Sequence, residues 1–142
     1  MGCDIHAHLK INWDGEWLYY APVSIRRNYE LFGRMAGVRA DEPEPLVEQR
    51  GFPAYASQMT RIHHTQWGRD AHSESWLGFD ELTRLLEEFG PILPDLGRWD
   101  FTYLEEFPGL YLFGNSITGW RKWPGEYPNE LRSIRLVFWF DN

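Results

Sequence analysis

Cys3-Asp4-Ile5-His6-Ala7-His8-Leu9-Lys10-Ile11 is the stretch whose alternation sets the reading of this chain. Successive side chains on a strand point to opposite faces, so Ile5, Ala7, Leu9 and Ile11 form one apolar row while Asp4, His6 and His8 share the other face. The apolar row needs a core to cover it. The polar row sets a carboxylate and two imidazoles in line, residue types that bind a metal or move protons. The other three of the five histidines, His63, His64 and His72, fall in one later segment, and this clustering directs the search for a site.

Outward from this strand the punctuation is clear. The strand runs to about Asn12, Asp14-Gly15 signals a two-residue hairpin, and a second strand spans Glu16 to Ala21 and stops at Pro22. Asn28 as N-cap, the stripe Leu31, Phe32 and Met35, and Gly37 as a stop predict a short helix. Ala40 to Pro53, with prolines among acidic residues, reads as an ordered loop or lid. Ser57 caps a helix over Gln58 to Trp67 that ends at Gly68, with His63 and Trp67 on one face and His64 about a third of a turn away. Arg69 to Trp76 reads as a polar loop. Phe79, Leu82, Leu85, Leu86 and Phe89 predict an amphipathic helix from near Asp80 to Gly90-Pro91. Ile92 to Pro108 reads as irregular, Leu110 to Phe113 as a strand, Gly114 to Asn129 as a long Trp-rich loop, and Arg132 to Asp141 as the final strand. Few, aromatic, hairpin-linked strands with helices between them predict an α+β fold. Its small, mainly antiparallel sheet combines the N-terminal hairpin with the C-terminal strand, and helices pack on one face. At 142 residues the chain, 1–142, reads as a single domain.

Composition narrows the partners. A net charge of −7 argues against duplex nucleic acid, whose binding needs clustered cations. It is compatible with a small anion held by local arginines, and Arg26 and Arg27 precede a helix N-terminus that already favours one. Eight tryptophans are an unusually high number and read first as an aromatic-rich core, with some rings, Trp67 and Trp76 among them, left for a ligand surface. The single Cys3 has no internal disulfide partner, and no leader-like or long apolar run is present, so the expectation is a soluble, cytoplasmic protein without a membrane.

Four landmarks resemble a group of small bacteriophage-encoded proteins. They are the start Met1-Gly2-Cys3-Asp4-Ile5-His6, the middle Arg27-Asn28-Tyr29-Glu30-Leu31-Phe32 with Met35-Ala36-Gly37-Val38-Arg39, the segment Trp67 to Leu77, and the end Arg135 to Asn142. The resemblance spans almost the whole chain. It implies a phage origin and the cytoplasm of an infected bacterial host, without a settled activity. A second, local resemblance joins Asp4-Ile5-His6-Ala7-His8 to the D-x-H-x-H strand of amidohydrolase and polymerase–histidinol-phosphatase-type metalloenzymes, whose motif histidines hold catalytic metal. This chain is too short for their barrel.

Two chemistries follow if the Asp4/His6/His8 row meets the His63–His72 segment. A divalent metal, Zn or Mn, would take His6, His8, His72 and a carboxylate from Asp4, Asp70 or Asp141, and would activate a bound water. Without metal, His6 and His72 would serve as general base and acid, with Asp4 orienting His6, Asp70 beside His72, and Arg26 or Arg27 offsetting charge. Ser73 or Tyr29 would position the ligand. His8, nearer the hairpin, is the most dispensable of the row. The plain alternative is a structural Asp–His pair tying the strand to the Asp70–His72 loop. Defence systems signal through small nucleotides, so a phage origin favours a phosphodiesterase-like hydrolase of such a signal, an anti-defence or immune-evasion role. The alternatives are a non-catalytic protein that sequesters the nucleotide, with pockets at contacts of a homo-oligomer, and a protein–protein inhibitor of a host factor.

Overall fold

The computed structural model describes residues 2–13, 15–23, 25–39, 44–54, 56–89 and 134–142. The expected irregular stretch Ile92–Pro108, the strand Leu110–Phe113 and the loop Gly114–Asn129 lie outside the described residues.

Strands β1 (Asp4–Trp13) and β2 (Glu16–Val23) form the expected antiparallel hairpin, pairing Asn12 with Trp17 and Ala7 with Val23. Gly15 adopts φ +83°, open to glycine, and its N–H donates to Asn12 Oδ1 at 3.2 Å. Pro22 does not end β2, which lies at the edge of the sheet among the described strands, where a missing donor is tolerated. Helix α1 (Tyr29–Ala36) begins where Asn28 Oδ1 accepts the Leu31 N–H at 3.2 Å, and ends at Gly37 in the left-handed region. Helix α2 (Gln58–Trp67) is capped by Ser57, whose Oγ accepts the Thr60 N–H at 3.3 Å. A single 3-10 turn, Gly68–Asp70, follows it.

The next segment corrects the expected polar loop. His72–Gly78 is strand β3, antiparallel to the C-terminal strand β4 (Ile134–Asp141). Only Ser75 and Leu77 are buried along it, and an inward serine hides the alternation. A register shift between His72 and Ser75, with Ser73 at φ +57°, disturbs it further. The buried Ser75 hydroxyl accepts the Arg50 N–H at 3.0 Å, and the Gly51 N–H reaches Glu74 O, so the 44–54 loop is stitched along β3. Helix α3 (Phe79–Phe89) follows directly.

The described strands form an antiparallel sheet in the order β2-β1-β4-β3, so the last strand in sequence sits in the middle. The fold is α+β. One sheet face carries Ile5, Leu9, Leu136, Phe138, Phe140 and Leu77, all buried, and α1 and α3 cover it with Leu31, Phe32, Met35, Leu82 and Leu85. The other face carries Asp4, His6, His8 and Lys10 of β1 beside Asp141, Trp139, Val137 and Arg135 of β4. Helix α2 lies over this second face without an apolar stripe: Thr60 is its buried residue, Trp67 at its end is partly buried, and Met59 and Ile62 are half exposed. Among the described residues no helix is long and apolar enough to cross a membrane.

Candidate active site

The antiparallel pairing of β1 with β4 sets Trp139 opposite His6 and Asp141 opposite Asp4. Asp141 is therefore the diagonal neighbour of His6 on the same face. Its Oδ2 lies 2.6 Å from His6 Nε2, with both side chains mostly shielded. The His6 ring sits between Trp67 and Trp139, at centroid distances of 4.2 and 5.5 Å. The partner of His6 is thus Asp141, and not Asp4 as expected. Both Asp4 oxygens are instead taken by Arg27, through Nε and Nη2 at 2.9 Å each, and this guanidinium holds the Asp4 carboxyl below its ordinary value.

That pair also dismantles the expected anion pocket before α1. Arg27 is committed to Asp4, Arg26 is exposed, and the Tyr29 hydroxyl accepts the Cys3 N–H at 3.3 Å. His72 does not meet His6 either. It pairs with Phe140, the position on β4 next to Trp139, so parity puts the two histidines on opposite sheet faces. There the His72 ring stacks on Phe140, Nδ1 bonds Ser73 Oγ at 2.9 Å, and Nε2 bonds Asn142 Oδ1 at 2.7 Å. Asp70 is exposed on its 3-10 turn. Of the expected ligand-binding side chains Trp67 lies against His6, whereas Trp76 stacks with Arg50. The expected metal set of His6, His8, His72 and Asp4 is not assembled, and among the described residues no group of three or more His, Cys, Asp or Glu side chains could hold a metal ion.

His8, expected to be the dispensable member of the row, is the centre of the face. It is 1 % exposed, and both ring nitrogens are engaged: Nδ1 with Thr60 Oγ1 at 2.7 Å and Nε2 with His63 Nδ1 at 2.8 Å. Burial, then the Lys10 ammonium and the neighbouring His63 and His6 rings, push its pKa down to about 3, so His8 is neutral at physiological pH. Hydrogen-bond capacity then fixes where the protons sit. Lys10 Nζ donates to Thr60 Oγ1 and to Ser57 Oγ, and Ser57 Oγ donates to Thr60 Oγ1 at 3.1 Å. Thr60 Oγ1 has two lone pairs, both now used, so its own O–H must donate to His8 Nδ1. His8 accordingly carries its proton on Nε2 and donates to His63 Nδ1. Burial and the nearby His6 ring lower the His63 pKa, so His63 is neutral as well and holds its proton on Nε2. Lys10 is itself pushed down to about 8, by burial and then by Arg135, and remains mostly charged at neutral pH.

The last N–H of this chain is available to a cleft. Because β2 ends at Val23 opposite Ala7, the described strands leave the outer edge of β1 uncovered from Asp4 to His6. A cleft of about 350 Å³ opens there, lined by His6 and His63 with Ile5, Pro22, Val23 and Ile25. His6 has Nε2 committed to Asp141 and His63 has Nδ1 committed to His8. Among the described residues each ring therefore has one nitrogen without a partner: Nδ1 of His6, and Nε2–H of His63. The adjacent His64 turns away, bonding Glu74 of β3 at 2.9 Å and packing on Phe52. It anchors α2 to the sheet.

The alternation along β1 was enough to place His6 and His8 on one face. Asp141 stood among the candidate carboxylates, but the β1–β4 register that selects it is a long-range pairing that no local pattern reports. Lys10, Ser57 and Thr60 carry no chemical signature in sequence. They stand out only once β1 and α2 are seen to touch. Comparison with known proteins found no matching family model, no matching curated protein and no matching solved structure.

Proposed function

We propose that the chain is a phosphodiesterase-like hydrolase of a small nucleotide, working through His6, Asp141 and His63. The observation that supports this reading is that a base with a free nitrogen and a proton-ordered donor line the same cleft. In the proposed reaction His6 Nδ1 takes a proton from the water whose oxygen attacks phosphorus. Asp141 offsets the positive charge formed on the ring. His63 Nε2–H donates to a non-bridging phosphoryl oxygen as charge builds there. The bond from phosphorus to the leaving oxygen breaks, and that oxygen takes its proton from solvent. The likeness to phage-encoded proteins makes a nucleotide used as a host defence signal the substrate to test first.

The test is incubation with a panel of cyclic and linear nucleotides, with and without EDTA, followed by product analysis before and after heat denaturation. New products that persist in EDTA are expected. His6→Ala should lower the rate by about 10²- to 10⁴-fold, the usual contribution of a positioned base. Full turnover in that variant removes His6 from the mechanism. Recovery of intact nucleotide only after heating replaces hydrolysis with sequestration.

A further inference from the structure

The far end of the same sheet face carries a second constellation that the histidine chemistry does not use. Arg135 of β4 lies level with Lys10 of β1 and Gly78 of β3. Its guanidinium carbon stands 4.1 Å from the centre of the Trp17 ring and 5.4 Å from that of Trp76, and Arg50 covers Trp76 at 4.2 Å. Two indoles thus hold the Arg135 guanidinium, an arrangement that orients a planar fork before any partner arrives.

Its bonding differs from that of three other arginines. Arg27, Arg34 and Arg50 each meet a carboxylate, on Asp4, Glu88 and Glu81. Arg135 Nε is buried and has no hydrogen-bond partner among the described residues. Nε itself is closed off from the groove, so an oxyanion there would meet the outer N–H groups of a guanidinium whose plane the indoles hold. The surroundings are positive as well, since Arg135 is the cation that helps depress the Lys10 ammonium. In a chain of net charge −7 this is a local exception. Beside the stack a groove of about 610 Å³ opens between Trp17, Phe52, Pro53 and Trp76, with Arg50 and Arg135 in its wall. Glu16, exposed at the rim, is its one carboxylate among the described residues.

We infer that this groove binds an oxyanion group, a phosphoryl or a carboxylate carried by a small molecule, with Arg135 as the fork that receives it. The groove is several times larger than such a group alone, so the remainder of the molecule lies along Phe52 and Pro53. The site does not rest on the hydrolase reading: Arg135 sits at the Lys10 level of β1, four residues along the strand from His6, and no histidine lines the groove.

Titration of the whole chain with pyrophosphate and, separately, with citrate tests the site. The readout is the indole N–H signals in proton–nitrogen NMR spectra, assigned through Trp17→Phe and Trp76→Phe. The Trp17 and Trp76 signals should move with at least one of the two anions, and the tighter binder identifies the group. Arg135→Gln should weaken that binding at least about tenfold, the expected loss of a charge-assisted hydrogen bond. Glu16→Gln should tighten it, and His6→Ala should leave it unchanged. The inference is overturned if neither anion moves these two signals at millimolar concentration. It is equally overturned if the moving signals belong to Trp67 and Trp139, or if a folded Arg135→Gln binds as the native chain does. Should Arg135→Gln not fold, the indole shifts and the Glu16→Gln result decide alone.

Discussion

The two faces of the sheet are built on different principles. The α1/α3 face is a close-packed apolar layer in which Phe32, Phe138 and Phe140 meet edge to face with Leu9, Leu82 and Leu85. The α2 face buries His8, Lys10 and Thr60 and holds its helix through hydrogen bonds. An apolar layer is tolerant in detail, since it asks only for volume and shape. A buried polar layer orders its protons wherever donor meets acceptor, as along the line from Lys10 through Thr60 and His8 to His63. The first face supplies stability, and the second supplies an ordered arrangement of donors and acceptors beside a cleft.

The largest effect belongs to the apolar layer. Phe138→Ala should cost about 3–5 kcal/mol, the usual cost of deleting a fully buried ring, read as a lower urea midpoint. A loss as small as that of a surface substitution would mean that the layer is not the core.

The polar face should show itself in acid. His8 has a folded pKa of about 3, well below its ordinary 6.5, so the unfolded chain binds more protons than the fold between those values. Stability is therefore whole above pH 6.5 and falls steadily as the pH drops from there toward 3, by a few kcal/mol. The decline should begin well above the range in which the carboxylates titrate. His8→Gln should flatten the upper part of the curve, and an unchanged profile in that variant would place the titration elsewhere.

Thr60→Val keeps the shape of α2 but removes the group that joins Lys10 to His8. It should cost about 1–3 kcal/mol, the penalty of leaving buried partners unsatisfied, and should also lower turnover because His63 loses its fixed tautomer. Stability lost with turnover retained would separate the helix anchor from the chemistry. Least affected should be Asp4→Asn, which breaks a half-exposed pair with Arg27. The urea midpoint should barely move, since such pairs contribute little. A large loss there would restore Asp4 to a structural role in the site.

The same contrast explains what was legible in the sequence. Apolar periodicity reports burial directly, so the row Ile5, Ala7, Leu9, the stripe Leu31, Phe32, Met35 and the helix through Leu82 and Leu85 could be read without coordinates. The caps Asn28 and Ser57 were legible for the same local reason. Strand β3 was not, because its start is polar and bulged at Ser73 and its pairing to β4 is long-range. Nor was the exchange of partners, Asp141 for Asp4 and His63 for His72. Both turn on register and parity across β4, and a shift of one position moves a side chain to the other face. The helix over the polar face was legible as a helix, but its destination was not, since it carries no apolar stripe to announce one.

Everything at the cleft follows from the direction of the proton chain from Lys10 through Thr60 and His8 to His63. Long-range proton–nitrogen NMR of the histidine rings at neutral pH reads it directly. The prediction is that His8 and His63 are both neutral with the proton on Nε2, and that Thr60→Val removes this uniform tautomer at His63. A His8 imidazolium, or a His63 ring protonated on Nδ1, would mean that the chain does not run in this direction.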